Sequence, residues 1–278
     1  MACVSLGLVL ISLLGCKLTA IDTNVADRVK QLLILELIVS PVPIYWHWRR
    51  RPDFRDSSAV ILWTLLISAT LSFPILTAAR LHLPLRDPLF ASVDAALGIR
   101  VPSMIAWAQD HRLAVTFDTA YSLLKPLLLL AALVPALAGK LKFAKEFLMA
   151  NIVAFAIAIP LFAFLPGIGP WDYYHLVPKS HQLACQSEIL SLRLPGIYTY
   201  NWQEAHIICF PSFHVIWAVL SARVLWVFRL LRIPVSALAA VIIVSTMTTG
   251  WHYFSDVLGG LIVAPISILV ANRIIAAH

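Results

Sequence analysis

Two short stretches carry groups able to do chemistry at the mouths of apolar runs. In "CFPSFHVIWAVL", from Cys209, His214 follows a proline and a serine; in "TTGWHYFSDVLGG", from Thr248, His252 and Asp256 stand four apart. On one helical face the carboxylate can accept from one imidazole nitrogen, which sets the tautomer and leaves the other lone pair available. An imidazole held in this way is a nucleophile or a base. His214, if level with it, is the complementary acid. Ser212, with the amides of a helix start, would attract an anion. The same three side chains, His214, His252 and Asp256, could instead ligate zinc. Phosphoryl transfer is the preferred reading, because the Pro-Ser pair before the histidine has no part in metal binding.

The elements between these stretches must bring them together. From His214 an apolar run descends to Arg229, turns through "RLLRIP", and returns to His252. A helical leg of about 15–20 residues spans ~25–30 Å, one membrane thickness. Both imidazoles are therefore expected at one membrane face.

The chain has 278 residues, is 60% hydrophobic and 13% charged, and its mean hydropathy is +0.86. Soluble domains carry about twice that charge, so the expected fold class is all-α, a polytopic helical membrane bundle. Hydrophobic segments are predicted near 3–20, 29–48, 58–80, 114–139, 147–166, 211–229, 234–252 and 255–273. The division is 1–57 as N-terminal membrane helices and 58–278 as a catalytic core of six helices. The N-terminus resembles a signal peptide with a lipoprotein-like "LLGC", but it lacks a basic leading region and is read as a first membrane helix. Basic residues cluster at Arg49–Arg51 with Arg55, at Lys140, Lys142 and Lys145, at Arg229 with Arg232, and at Arg273. Short basic loops on one side mark the cytoplasm, so the site is expected to face the periplasm or lumen. The same distribution, despite a net charge of +7, argues against a nucleic-acid partner. Two longer loops lie on the site's side. The loop at 81–113 is predicted to hold a short interfacial helix capped by Asp87 before Pro88. The loop at 167–210 is rich in Trp, Tyr, His and Pro.

At these residues the sequence resembles the type-2 phosphatidic acid phosphatase superfamily. "FPSFH" and "STMTTGWHYFSDV" look like its second and third motifs, P-S-G-H and S-R-x(5)-H-x(3)-D, within a helix layout spanning roughly 58–278. Phe213 in place of glycine, together with "HYFSDV", is similar to the inositol phosphorylceramide synthase and sphingomyelin synthase branch. The resemblance implies that His252 forms a phosphohistidine, Asp256 orients it, His214 protonates the leaving group and Ser212 holds phosphoryl oxygens. It implies a lipid phosphate or phospholipid as substrate, the bilayer as surroundings, and no cofactor. Two family cations are missing. The arginine of the third motif falls on Thr246, and K-x(6)-R-P has no match before "FPSFH". Phosphoryl transfer depends on positive charge. Arg193 and Lys125 are the first candidates to supply it, followed by Lys179, His181 and His206; a lysine inside an apolar run is functional by default.

Water as acceptor makes the protein a phosphatase, and a lipid alcohol makes it a headgroup transferase. A transporter or lipid-binding protein is the reading from another class. Other features have plainer expectations. His175, His181 and His206 are read as interfacial polar groups. Arg223, opposite His214 on its helix, is structural. Asp118 with Lys125 is a weak pair at seven-residue spacing. Cys3 and Cys16 are packing, while Cys185 and Cys209 are either a disulfide or two thiols. "GPWDYY" is an interfacial anchor rather than a lid. Oligomeric state is not encoded in any feature of the sequence.

Overall fold

A computed structural model of the chain describes residues 21–22, 41–70, 72–196, 198–199 and 208–277. Apart from a two-residue parallel pairing of Ile21–Asp22 with Tyr198–Thr199, the described chain is helical. Its α-helices are α1 (Pro41–Trp48), α2 (Pro52–Thr70), α3 (Ser72–Ala79), α4 (Asp87–Ala96), α5 (Val101–Asp110), α6 (Ala114–Ser122), α7 (Leu124–Leu137), α8 (Leu141–Phe164), α9 (Pro170–Tyr173), α10 (Ser180–Leu192), α11 (Phe213–Leu225), α12 (Arg232–Thr248) and α13 (Phe254–Ala276). The expected segment 3–20, most of 29–48, Cys3, Cys16, Tyr200, Trp202 and His206 lie outside the described residues.

Among the described residues four helical stretches are long and apolar enough to cross a membrane: Ala114–Leu137, Leu141–Phe164, Arg229–Thr248 and Phe254–Ala276. The protein is a multi-pass integral membrane protein. The bent pair α4–α5, with 76° between its axes, would make a fifth span if it were one. Where one short helix was expected in the loop at 81–113, the structure has this pair. The expected 58–80 leg falls on α2 and α3, and α2 begins ahead of it, at Pro52. The expected 211–229 leg is only 13 residues long as α11. At 1.5 Å per residue that is about 20 Å, shorter than the hydrocarbon core. Ser212 caps its start and the chain turns at Trp226.

α8 packs along α13, while α11 sits at the centre against α7, α8, α12 and α13. Small residues allow the close approach: Ala150, Ala154 and Ala158 recur at helical spacing on α8 and are buried, facing a core that includes Val263 and Ala264 of α13. Outward-facing Leu261, Ile262, Ile266 and Leu269 leave an apolar surface suited to lipid. The direction of each helix puts Lys140, Lys142, Lys145, Arg229, Arg232 and Arg273 at one end of the bundle and both motif histidines at the other. At the basic end Arg223 pairs with the buried Glu146, 3.1 Å away, and lies over Phe143. Arg223 therefore has the structural partner its position called for.

Candidate active site

The "TTGWH" turn is built by a helix C-terminus. Gly250, at φ +81, follows the last residues of α12; its N–H donates to Met247 O, and the Trp251 N–H reaches back to Thr246 O at 3.1 Å. This is a Schellman motif, and its glycine supplies the left-handed residue that such an ending needs. The His252 N–H also donates to Thr246 O, at 3.1 Å. Thr246, in the position of the family's arginine, thus contributes a carbonyl that sets the His252 backbone. Its hydroxyl bonds Ile243 O.

Immediately after this turn α13 begins, and three carboxylates organise its start. Asp94 of α4 accepts the N–H groups of Phe254 at 2.7 Å and Ser255 at 2.8 Å, capping the helix from another part of the chain. Asp256, in the first turn, accepts the Tyr253 N–H at 2.9 Å and faces His252 Nδ1 at 3.3 Å with the same oxygen, Oδ2. Asp87 accepts the N–H groups of Ile168 and Gly169 and the Tyr253 hydroxyl. Asp87 was expected to be a helix cap. It is instead the first residue of α4, and its carboxylate holds the loop beside the site. Neither Asp94 nor the clamp made by Asp87 was visible in local sequence, because their partners lie far along the chain.

The two motifs are joined directly. The Ser212 N–H donates to Asp256 O at 3.1 Å. Gly259 and Gly260 of α13 lie against the turn before α11. A Cβ on Gly260 would stand 2.8 Å from Ser212 O, and one on Gly259 would stand 2.7 Å from the Phe210 ring. Glycine is required here by close approach.

His214 and His252 meet, with ring centroids 5.8 Å apart. Both line one cavity of about 80 Å³, room for several water-sized groups. The rest of its wall is mostly apolar and aromatic, with Phe155, Phe213, Trp217 and Trp251 prominent. Tyr121 of α6 stacks on His214 with centroids 4.0 Å apart, and its hydroxyl lies 3.4 Å from His214 Nδ1. Tyr121 was not anticipated. The contact with Asp256 engages Nδ1 of His252, so Nε2 is the ring nitrogen outside it.

The other expected site residues are placed elsewhere. Ser212 is fully buried, caps α11 by accepting the Val215 N–H, and is not part of the cavity wall. Arg193 donates to Leu83 O at 2.5 Å, and partial burial lowers its pKa. Lys125 is exposed. Lys179 pairs with Asp118 across a second, neighbouring cavity of about 400 Å³, so the expected Asp118–Lys125 pair gives way to this one. Among the described residues no lysine or arginine lines the cavity of the histidines. The loop at 167–210 contains α10, whose Gln182, Cys185, Glu188, Ile189 and Leu192 form a buried helical stripe too polar to stand out as one. Trp171 of "GPWDYY" is buried in the protein rather than anchored at an interface. Cys185 and Cys209 are buried thiols without a disulfide between them; both line the cavity, and burial pushes Cys185 up to about 12. The zinc reading also changes membership. The donor atoms within 4.8 Å of one another come from Cys209, His252 and Asp256, and His214 is not among them.

A family model described as the PAP2 superfamily matches residues 88–270. No curated protein and no solved structure matches the chain.

Proposed function

The chain belongs to the PAP2 superfamily, and on that premise we propose that it is a membrane-embedded lipid phosphatase or phosphotransferase that works through a phosphohistidine at the extracytoplasmic face. The single observation that carries the reading is the meeting of His214 with an imidazole already held by a carboxylate. His252 Nε2 attacks phosphorus while the bond from phosphorus to the leaving oxygen breaks. His214 gives its proton to that oxygen. The phosphorylated imidazole keeps its Nδ1 proton and becomes cationic, and Asp256 balances that charge. Water or an alcohol, deprotonated by His214, then attacks phosphorus and releases His252. No step uses a metal ion.

Both families of acceptor fit this cycle. Hydrolysis is the simpler outcome. Transfer of a phospholipid headgroup to a ceramide-type alcohol is favoured by the apolar, aromatic cavity wall and by the likeness of "HYFSDV" to the sphingolipid synthase branch. Within the cavity the phosphoryl charge is met by His214, when protonated. Recruitment of Arg193, Lys125 or Lys179 would require each to leave its present position.

The test is purified protein incubated with a panel of lipid phosphates and phospholipids, following phosphate release and lipid products, with His252→Ala as control. Rapid quenching with a phosphorus-labelled substrate should trap an acid-labile, base-stable phosphoprotein that His252→Ala lacks. Turnover retained by His252→Ala would overturn the mechanism. A transporter would show flux without any product.

A further inference from the structure

The geometry points to a regulatory metal site beneath the nucleophile, formed by Cys209 Sγ, His252 Nδ1 and the Asp256 carboxylate, that takes a thiophilic divalent ion of the zinc class and switches the histidine off. This deepens the proposed function, since it acts on the same histidine.

Three distances carry it. Cys209 Sγ lies 3.1 Å from Asp256 Oδ2, His252 Nδ1 lies 3.3 Å from the same oxygen, and all three donors fall within 4.8 Å of one another. Donors on a tetrahedral zinc, with bonds of about 2.0–2.3 Å, stand about 3.3–3.5 Å apart. The set is therefore near a ligand triangle before any ion arrives. Thiolate, imidazole and carboxylate together are a zinc donor set, and hard ions such as magnesium do not favour it. A separate observation also points to a ligand: Asp256 Oδ1 is completely buried and has no hydrogen-bond partner among the described residues. Buried carboxylate oxygens are rarely left so. Oδ2, the oxygen of the triangle, can face the ion, and the unpartnered Oδ1 is a second donor on the same carboxylate. Cys209 and His252 both line the cavity, which supplies the route and an open fourth coordination position.

The effect on catalysis follows from proton counting. A neutral imidazole carries one proton. Coordination at Nδ1 moves that proton to Nε2 and removes the lone pair that attacks phosphorus. The Cys209 thiol gives its proton to solvent as it binds the ion. Occupied, the site holds a histidine of the wrong tautomer; stripped, it returns the Nδ1–H to Asp256. The ion here is an inhibitor and takes no part in turnover.

Cobalt(II) titration of the detergent-solubilised full chain is the test, because thiolate ligation gives a charge-transfer absorption independent of enzymatic activity. The expected result is a cobalt–thiolate band that zinc displaces. Cys209→Ser should lose the band, with affinity reduced by more than about tenfold, the scale seen when even an outer-shell partner is removed. Cys185→Ser and His214→Ala should keep it, since neither residue is a ligand. Zinc should suppress turnover, and a chelator should restore it. No band in the wild-type chain, or a band that survives Cys209→Ser, overturns the site. A band in a chain that turns over neither lipid phosphates nor phospholipids upholds the metal site and removes the catalytic reading. Turnover with no band does the reverse.

Discussion

The two histidines of the cavity are held by different means. His252 stands on a fully engaged backbone: the Schellman turn at Gly250, the caps from Asp94 and Asp256, and the clamp of Asp87 on Tyr253 all converge within a few residues of it. His214 sits on the first turn of α11, where the ring of Tyr121 stacks on it and the Tyr121 hydroxyl lies 3.4 Å from its Nδ1. The contrast suits the two proposed tasks. A nucleophile needs one tautomer and one direction of attack, which carboxylates and backbone provide. A group that gives a proton and takes it back has to be stable in both states, and a stacked ring tolerates that change better than a fixed ion pair.

The contrast predicts a graded set of losses. His252→Ala should reduce turnover to background, by at least about 10⁴-fold, as expected when a covalent nucleophile is removed; phosphate release measures it. His214→Ala should lose about 10²–10⁴-fold on alkyl phosphates, the range for general acid catalysis. It should lose far less on a nitrophenyl phosphate, whose leaving group departs without a proton. Equal losses on both substrates would remove the acid role from His214. Gly260→Ala should lower stability by about 1–3 kcal/mol, the usual penalty of overpacking, and should impair both halves of the site together, as thermal unfolding and turnover would show. Asp94→Ala should lower stability by about 2 kcal/mol, from the loss of charge-assisted bonds at the α13 start, while leaving the rings in place. Tyr121→Phe keeps the stack and loses the hydroxyl, so turnover should fall only about fivefold, the worth of one modest hydrogen bond. A loss as large as that of His214→Ala would show that the hydroxyl, rather than the ring, holds the acid.

What could be read from the sequence is what depends on short intervals. The four-residue spacing of His252 and Asp256, and the length of the hairpin from His214 to His252, follow from helical rise alone. The parts that could not be read depend on contacts across the chain. Asp94 meets Phe254, Asp87 meets Gly169, and Tyr121 meets His214, and no local pattern announces such partners. Helical periodicity in α10 was hidden because its buried stripe mixes Gln182 and Glu188 with apolar residues. The cations went astray for a similar reason: a sequence shows that Lys179 and Arg193 lie on the correct side, but not that Asp118 and the Leu83 carbonyl reach them first. The length of α11 was overestimated, because hydropathy continues past Trp226 while the helix does not.

The glycine contacts of α13 have a bearing on how a lipid reaches its place. Because Gly260 seats against Ser212 O, and the Ser212 amide is tied to Asp256 O, the start of α11 that bears His214 and the start of α13 just after His252 are fastened to each other. A bulky amphiphile cannot be admitted by spreading them. The remaining wall is lined by Tyr121 of α6, whose ring lies flat against His214 and Trp251, so the width open to a headgroup beside the two imidazoles depends on that ring.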